Sequence, residues 1–428
     1  RMVAQYAKAL QKMALTPAHV SAATVFTTHD ELSAMVQFAA MISQQELAWD
    51  AAVKCDKESK FQHCERRFQA MDYRLPSGRV AASAGAPMQL PVSIWLPLQR
   101  NGAVPVVLHA HGMNGDRGGG KWWAEMLCPL GFAVVAVDAV HHGEHPTRDL
   151  EAGLPGLLFL GMDIGKLAID PKITRGSFNQ TTADRLQLLR LLALHPDVDD
   201  QPGDDIDPSR VAYHGISLGA LLGPQLLALS PQISAAVLSV GGGRLLEFAT
   251  STVQVKSLIS VLHNLAGSKQ RFERLLPVAQ TLMDSADPAS WAPHVFHQRL
   301  VGAGQEPHVL FPVALHDQTV PPPTARALAR ALRIPHVQPI AAVVEGLQPT
   351  KAPTTANVAK GQATAGYFQL DRGTVDGKVV KATHGNAPGS AEGAWQIRHF
   401  LQTWRDDDAA EIGDPYAALG TEPLKTTD

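Results

Sequence analysis

The residue best suited to chemistry in this sequence is a serine between two glycines. Residues 215–219 read Gly-Ile-Ser-Leu-Gly, residues 211–214 before them predict a β-strand, and residues 218–229 predict a helix. A serine on such a sharp turn has its hydroxyl at the N-terminus of the helix, where free N–H groups favour negative charge. The pattern predicts that Ser217 acts as a nucleophile; the alternative is a glycine turn with a capping serine.

An acid and a histidine follow the serine in the order that nucleophilic catalysis requires. A hydroxyl needs a base to take its proton and an acid to orient that base. Asp317 comes directly after a strand predicted at 309–315, and His384 lies on a loop after a strand predicted at Val379 and Val380. We predict Asp317 as the orienting acid and His384 as the general base. A turn aspartate and a surface histidine without a role are the alternatives.

Nearby acids and histidines fit this order less well. His308 and His316 precede Asp317, which reverses the order of acid and base. Asp284 and Asp287 lie within a helical insertion and do not follow a strand. We therefore keep Asp317 and His384 as the partners of the serine.

Two backbone N–H groups are expected beside the serine to bind the negative charge that forms on a carbonyl oxygen. One is predicted to belong to Leu218, the residue after the nucleophile. The second is predicted to belong to Met113, in the glycine-containing loop after the strand at 104–109. An ordinary glycine turn is the alternative for this loop.

A histidine-rich loop raises the alternative of a metal site. His141, His142, Glu144 and His145 lie within five residues after the strand at 132–138. They lack the helical spacing that places two ligands on one face, so we favour a structural loop and expect no metal and no cofactor.

Alternating strands and helices must position these side chains. From about residue 90 onward, strands are predicted at 90–97, 104–109, 132–138, 210–214, 233–240 and 309–315, and helices at 122–130, 182–194, 218–229, 324–332 and 395–404. This alternation is typical of an α/β fold, with a mostly parallel sheet covered by helices on both faces. Before it, we predict helices at 2–13 and 31–49 and a strand at 22–26.

We expect an N-terminal extension over residues 1–85, a catalytic domain over 86–406 and a C-terminal tail over 407–428. Within the domain, two insertions at about 141–180 and 241–300 interrupt the alternation. Insertions of this kind often cover a site, so we predict that the second forms a helical lid.

Composition excludes several classes of partner. The chain has 428 residues, 45% of them apolar and 18% charged, with a formal net charge of -3. That balance disfavours nucleic acid and anionic membrane surfaces as partners. We expect no membrane span, because no apolar run reaches the roughly 20 residues that one needs. The start at Arg1 shows no basic and apolar leader, so we expect no signal peptide in this sequence, although one could have been removed.

Three cysteines bear on the compartment. Cys55 and Cys64 lie nine residues apart in a charged stretch and fit no zinc pattern. We favour a disulfide between them, which would indicate an oxidising compartment, over two reduced surface thiols. Cys128 is predicted to be a small buried apolar residue.

At these residues the chain resembles the α/β-hydrolases, and more narrowly the bacterial secreted lipases of the virulence-factor type. The segments that carry the narrower resemblance are 26–28, 175–180 and 280–288, beside the serine motif, Asp317 and His384. The form of 175–180 and Ala220 after Gly219 depart from the expected pattern. The resemblance extends from about residue 20 to 404 and implies lipase, lysophospholipase or esterase activity outside the cytoplasm, in a secreted, periplasmic or outer-membrane-associated protein.

The leading hypothesis is therefore a serine hydrolase that acts on small-molecule or lipid carboxylic esters. A thioesterase or peptidase with the same three residues is one alternative, and a non-catalytic lipid-binding protein is another. Apolar residues of the second insertion are candidates to shape an acyl pocket, with core packing as the alternative: Leu245, Leu246, Phe248, Leu258, Ile259, Val261 and Leu262. The sequence leaves acyl length and oligomeric state open.

Overall fold

The computed structural model describes residues 2–16, 18, 20, 30, 32–151, 153–163, 165–166, 168–252 and 256–423. In chain order the strands are β1 (Lys54–Lys57), β2 (Phe61–Asp72), β3 (Ala86–Pro97), β4 (Val104–Ala110), β5 (Ala133–Val137), β6 (Met162–Asp163), β7 (Ala168–Ile169), β8 (Ile206–Ile216), β9 (Ile233–Ser239), β10 (His308–Ala314), β11 (His336–Val337), β12 (Pro349–Thr350), β13 (Ala365–Leu370), β14 (Arg372–Val375) and β15 (Lys378–Lys381).

The helices alternate with these strands along the chain. In order they are α1 (Met2–Lys12), α2 (Ser33–Ile42), α3 (Gly120–Leu127), α4 (Pro155–Phe159), α5 (Pro171–Leu194), α6 (Leu218–Leu229), α7 (Leu245–Ser251), α8 (Lys256–Leu265), α9 (Lys269–Glu273), α10 (Leu276–Met283), α11 (Pro288–Trp291), α12 (Pro293–Phe296), α13 (Pro322–Leu332), α14 (Ala391–Asp407) and α15 (Pro415–Ala418).

One large sheet organises the described part of the chain. Its strand order is β1-β2-β3-β5-β4-β8-β9-β10-β13-β11-β12. The first three strands pair antiparallel, and from β5 onward every neighbouring pair is parallel. The mostly parallel sheet predicted from the alternation is therefore confirmed.

Helices cover both faces of this sheet, as the apolar strands require. Along β4, Val106 and Leu108 enter one buried cluster with α5, α6 and α13, because successive strand residues point to opposite faces. Val107 enters the other cluster, with α3 and α14. A strand buried on both faces reads as a continuous apolar run, which is why β4 was recognisable in the sequence.

Helix α5 differs from the amphipathic helix predicted at 182–194. It begins at Pro171, where the Asp170 side chain caps it by accepting a 2.9 Å hydrogen bond from the N–H of Lys172. From Thr174 onward almost every side chain is buried, because α2, α6 and α10 pack around it as well as the sheet. Polar residues in its sequence are therefore interior and not solvent-facing.

Other differences concern strands and helix ends. The sequence analysis did not find β2 or β13, and the helix expected at 31–49 is α2, Ser33–Ile42. Val379 and Val380 are in a strand, but β15 pairs with β14 in a separate hairpin, where Val379 is 52% exposed. The strand predicted at 22–26 and the resembling segment 26–28 lie outside the described residues.

Candidate active site

Ser217 occupies a strained turn between β8 and α6. Its backbone has φ 54° and ψ -112°, which a residue with a side chain adopts only when the surroundings hold it there. The two flanking glycines permit the turn: a Cβ on Gly215 would lie 2.5 Å from the Gly219 carbonyl, and one on Gly219 would lie 2.2 Å from the Ala110 oxygen. The glycine spacing seen in the sequence is therefore a steric requirement of this turn.

The structure brings Ser217, His384 and Asp317 into one hydrogen-bonded chain. The Nε2 atom of His384 lies 2.8 Å from the Ser217 Oγ. The Nδ1 atom of the same ring lies 2.7 Å from an Asp317 carboxylate oxygen. Ser217 and Asp317 are buried, and the His384 side chain is 19% exposed. These three residues, chosen from the sequence for their order, are thus close in space.

The Asp317 carboxylate is held from its other oxygen by the loop after β10. Its Oδ1 accepts hydrogen bonds of 2.8 Å from the N–H groups of Thr319 and Val320. The second oxygen, Oδ2, is left to the imidazole of His384. Two backbone donors fix the plane of the carboxylate, so it can hold the ring in one orientation.

His384 lies on the loop between β15 and α14. The Thr383 N–H donates to the Asn386 side-chain oxygen at 2.8 Å, and the Asn386 amide donates to the Lys381 carbonyl at 3.0 Å. The His316 N–H, next to Asp317, donates to the Ala382 carbonyl at 3.1 Å. The loops that carry the histidine and the acid are therefore bonded to each other.

Met113 and Leu218 lie beside the serine, Met113 in the wall of the same cleft and Leu218 as the next residue in the chain. Leu218 is the first residue of α6, where the helix supplies no acceptor for the N–H. Among the described residues, neither N–H has an acceptor. A Cβ on Gly112 would lie 3.3 Å from the Ser217 Cβ, so the loop after β4 passes directly beside the nucleophile.

His111, a residue to which the sequence analysis gave no role, holds that loop in place. Its Nε2 accepts a 3.0 Å hydrogen bond from the Ala139 N–H, so Nδ1 carries the proton and donates to the Gly112 carbonyl at 2.9 Å. Burial lowers the pKa of His111 to about 4, which keeps the ring neutral and able to accept. In the sequence, the one feature that could have marked His111 is its position directly before Gly112 of this loop.

The competing acid and histidine have structural partners. The His308 Nδ1 accepts a 2.9 Å hydrogen bond from the Thr364 N–H. Asp287 accepts backbone hydrogen bonds of 2.8 and 2.7 Å from Arg244 and Leu245 at the start of α7. These contacts tie both residues to the fold away from Ser217.

The histidine-rich loop after β5 is built by separate contacts of its members. The pairs are His141 Nδ1 with the Thr147 carbonyl (3.0 Å), His142 Nδ1 with the Val140 carbonyl (2.9 Å), Glu144 with Arg117 (2.8 Å) and His145 Nε2 with Asp184 (3.1 Å). In the part of the chain that the structure describes, one group of three or more candidate metal ligands has its ligand atoms within 4.8 Å of one another. It consists of Asp197, Asp199 and Asp205. Arg100 forms ion pairs with two of these acids, Asp199 and Asp205.

A small cleft of about 380 Å³ opens over Ser217 and His384. Met113, Trp122, Trp123 and Pro388 are among its walls. Trp122 is 46% exposed, so an indole surface is available to a molecule that enters. The cleft gives a substrate direct access to the serine hydroxyl.

Cys55 and Cys64 form a disulfide between neighbouring positions of β1 and β2. Cys128 is a free thiol and is buried, as predicted. Within the described ranges, no helix has both the length and the apolar character that crossing a membrane requires.

No protein-family model matches this sequence, and no curated protein sequence matches it. Solved structures that resemble it include the acetyl xylan esterase of Paenibacillus sp. R4 (18% identity, 81% of this chain and 91% of that one, TM-score 0.49) and acetyl xylan esterase 1 of Thermoanaerobacterium sp. JW/SL YS485 (17%, 79% and 88%, 0.45). The acylaminoacyl peptidase of Pyrococcus horikoshii resembles it at 13% identity over 81% of this chain and 42% of that one, with a TM-score of 0.45.

Because these TM-scores are below 0.5, the fold is assigned from the strand order and the turn after β8. A mostly parallel sheet flanked by helices, with a serine on the strand–turn–helix junction, defines the α/β-hydrolase fold. The chain has this fold, as the sequence predicts.

Proposed function

We propose that the protein is a serine hydrolase that cleaves carboxylic esters through an acyl-enzyme intermediate. The observation that carries this proposal is the hydrogen-bonded chain from Ser217 through His384 to Asp317. A serine hydroxyl is a weak nucleophile at neutral pH, and a histidine within hydrogen-bond distance of it is the usual means of activation.

In the proposed reaction, the Ser217 Oγ attacks the ester carbonyl while the His384 Nε2 takes the hydroxyl proton. The carbonyl oxygen becomes an oxyanion, which the N–H groups of Met113 and Leu218 stabilise. The imidazolium then gives its proton to the departing alcohol oxygen, and the C–O bond breaks to leave the acyl group on Ser217. Water, deprotonated by His384, releases the acid and restores the serine.

Asp317 acts through His384 in this mechanism. Its Oδ2 accepts the Nδ1 proton of the ring, which leaves Nε2 free to accept the proton of Ser217. The carboxylate also stabilises the positive charge that the ring acquires. The acid therefore sets both the tautomer and the orientation of the base.

The same residues are compatible with thioester or amide cleavage, and we place esters first because an alcohol is expelled from the intermediate more readily than an amine. Hydrolysis of p-nitrophenyl acetate, of a matched thioester and of a matched anilide by the same preparation orders the three activities. We expect the ester and thioester to exceed the anilide. A preference for the anilide would reassign the protein as a peptidase.

The direct test compares the wild type with Ser217→Ala on p-nitrophenyl acetate. We expect kcat to fall by roughly a factor of 10⁴ or more, because no other group supplies the nucleophile. A non-catalytic lipid-binding protein would give the same background rate for both proteins. If Ser217→Ala kept the turnover rate of the wild type, another residue would have to be the nucleophile.

We also propose that the protein works outside the cytoplasm, in line with the narrower resemblance to secreted lipases. The Cys55–Cys64 disulfide supports this location, because such bonds persist in oxidising compartments. Thiol counting on unfolded protein taken from its native compartment tests the proposal. One free thiol per chain, that of Cys128, is expected, and three would contradict it.

A further inference from the structure

An apolar cavity of about 450 Å³ lies between the two insertions. Of the seventeen described residues that line it, fifteen are apolar and two are threonines. Both threonine hydroxyls already donate at 2.9 Å to backbone carbonyls, Thr174 to Leu160 and Thr250 to Leu246. The cavity is therefore large enough for a ligand, and the described residues that line it offer apolar contact and no charged group.

Two residues beside the nucleophile connect this cavity to the active-site cleft. Met113 and Leu218, the proposed oxyanion donors, pack in one apolar cluster with Leu245 and Met283. Leu245 and Met283 are in turn part of the cavity wall. A continuous apolar seam thus leads from the serine to the cavity.

The Met113 side chain lies in the wall of the cleft next to α4, and Leu160, directly after α4, lines the cavity. Met113 packs so closely on α4 that a Cβ on Gly156 would lie 2.6 Å from the Met113 Cγ. Methionine is unbranched and changes rotamer readily, so it suits a wall that must give way.

We infer that this cavity binds the acyl chain of the ester, and that the Met113 side chain is the gate through which the chain reaches it. The inference rests on the proposed function and specifies its substrate as esters of medium- and long-chain fatty acids. An acyl chain that itself carries charges or hydroxyl groups would find no charged partner among the described residues of the cavity wall and is disfavoured by the cost of losing its water.

The inference predicts how kcat/KM depends on the length of the acyl chain. Each methylene that moves from water into the cavity favours the bound transition state by about fourfold. Between butyrate and octanoate, kcat/KM is expected to rise by up to about 200-fold. Acetate esters, whose chain ends before the gate, gain nothing from the cavity.

The experiment fills the cavity from two helices of its wall, with Ala249→Trp in α7 and Ala279→Trp in α10. Val278→Trp is the matched control, because Val278 precedes Ala279 on the same helix but is 60% exposed. All proteins are assayed with p-nitrophenyl esters from acetate to dodecanoate. Active sites are counted by fluorophosphonate titration, so that misfolded protein does not enter the rates.

We expect both cavity variants to lose at least tenfold in kcat/KM on octanoate and to stay within about twofold of the wild type on acetate. The Val278 variant should keep the wild-type profile. A flat wild-type profile, or an equal loss on every ester in both cavity variants, would overturn the inference.

A readout without turnover separates this inference from the proposed function. Decanoate should raise the Tm of the wild type and of Val278→Trp, but not of the two cavity variants. If no ester were cleaved and this pattern still held, the proposed function would fail and the cavity assignment would stand. If esters were cleaved but decanoate had no effect on the Tm and the rates showed no chain-length preference, the proposed function would stand and the cavity assignment would fail.

Discussion

The Nε2 atom of His111 accepts a 3.0 Å hydrogen bond from the backbone N–H of Ala139. This bond ties the loop after β4, which carries Met113, to the end of β5. Because the same ring donates to the Gly112 carbonyl, one buried side chain sets the position of a proposed oxyanion donor from two sides. His111 is accordingly a positioning residue in this mechanism.

Replacing this side chain should affect turnover more than substrate binding. His111→Phe leaves the Ala139 N–H without an acceptor, at a cost of about 1–3 kcal/mol in the free energy of unfolding. We expect kcat to fall by up to about 100-fold as the Met113 N–H loses its position, with KM changed by less than about threefold. In His111→Gln, which can still accept, part of the loss in kcat should return. Equal kcat in the wild type and the Phe variant would argue against positioning.

Buried neutral histidines make stability depend on pH. Burial lowers the pKa of His111 and His142 to about 4 and of His214 to about 3, whereas the unfolded chain titrates near 6.5. Between these values the unfolded state binds more protons, so the free energy of unfolding falls as the pH falls below about 6.5. One such histidine lowers the free energy of unfolding by roughly 2 kcal/mol when the pH falls from 7 to 5.

Urea unfolding at pH 7, 6 and 5 measures this dependence, since the carboxylates whose pKa is lowered, Glu65, Asp72, Asp163 and Glu392, titrate below that window. The wild type should lose stability at each step. An unfolding free energy that stays constant from pH 7 to 5 would contradict the assignment of neutral interior histidines.

The glycine after the nucleophile should tolerate no side chain. In Gly219→Ala the new methyl group would meet the Ala110 carbonyl oxygen at 2.2 Å, and this oxygen belongs to the backbone of a buried strand and cannot move aside easily. We expect a loss of more than about 3 kcal/mol in the free energy of unfolding, or a displaced serine with little activity. Gly119→Ala is the control, because its surroundings are open and its φ of -58° and ψ of -20° suit alanine. Similar stability of the two variants would show that the turn can relax.

The acid can be tested without changing its size. Asp317→Asn keeps the shape but loses the charge that holds the Nδ1 proton of His384. We expect kcat for a short ester to fall by roughly a factor of 10⁴, as for other triads in which the base takes the wrong tautomer. Measured stability should change far less. A decrease in kcat below about tenfold would point to another acid.

The elements around the serine were predictable because local sequence determines them. Gly215 and Gly219 permit the turn, and the apolar runs on either side can only be buried as a strand and a helix. Asp317 was found because it lies just past the end of β10, three residues after Ala314. His384 was found from its order in the chain, although the strand before it belongs to a hairpin and not to the central sheet.

The missed elements depend on partners far away in the sequence. Strand β2 contains charged residues that hide its burial: Arg66 is 5% exposed and donates hydrogen bonds to Asp200 and to the Val198 carbonyl, more than 130 residues later. Strand β13 likewise contains a buried Gln369, whose side-chain oxygen accepts from the N–H of Ala342, 27 residues earlier. No pattern within either segment reveals such partners. The sequence did mark part of the cavity, because Leu245, Leu246, Phe248 and Ile259 of the second insertion line it, but it did not mark the wall that the first insertion contributes.

The most direct test of the central claim is to locate a covalent serine label. A fluorophosphonate probe reacts with a serine that a neighbouring base activates, and peptide mass spectrometry identifies the labelled residue. We predict one equivalent of label per chain on the peptide that contains Ser217, much slower labelling in His384→Ala and no labelling in Ser217→Ala. An intact protein that takes up no label, or takes it up on another residue, would contradict the assignment of Ser217 as the nucleophile.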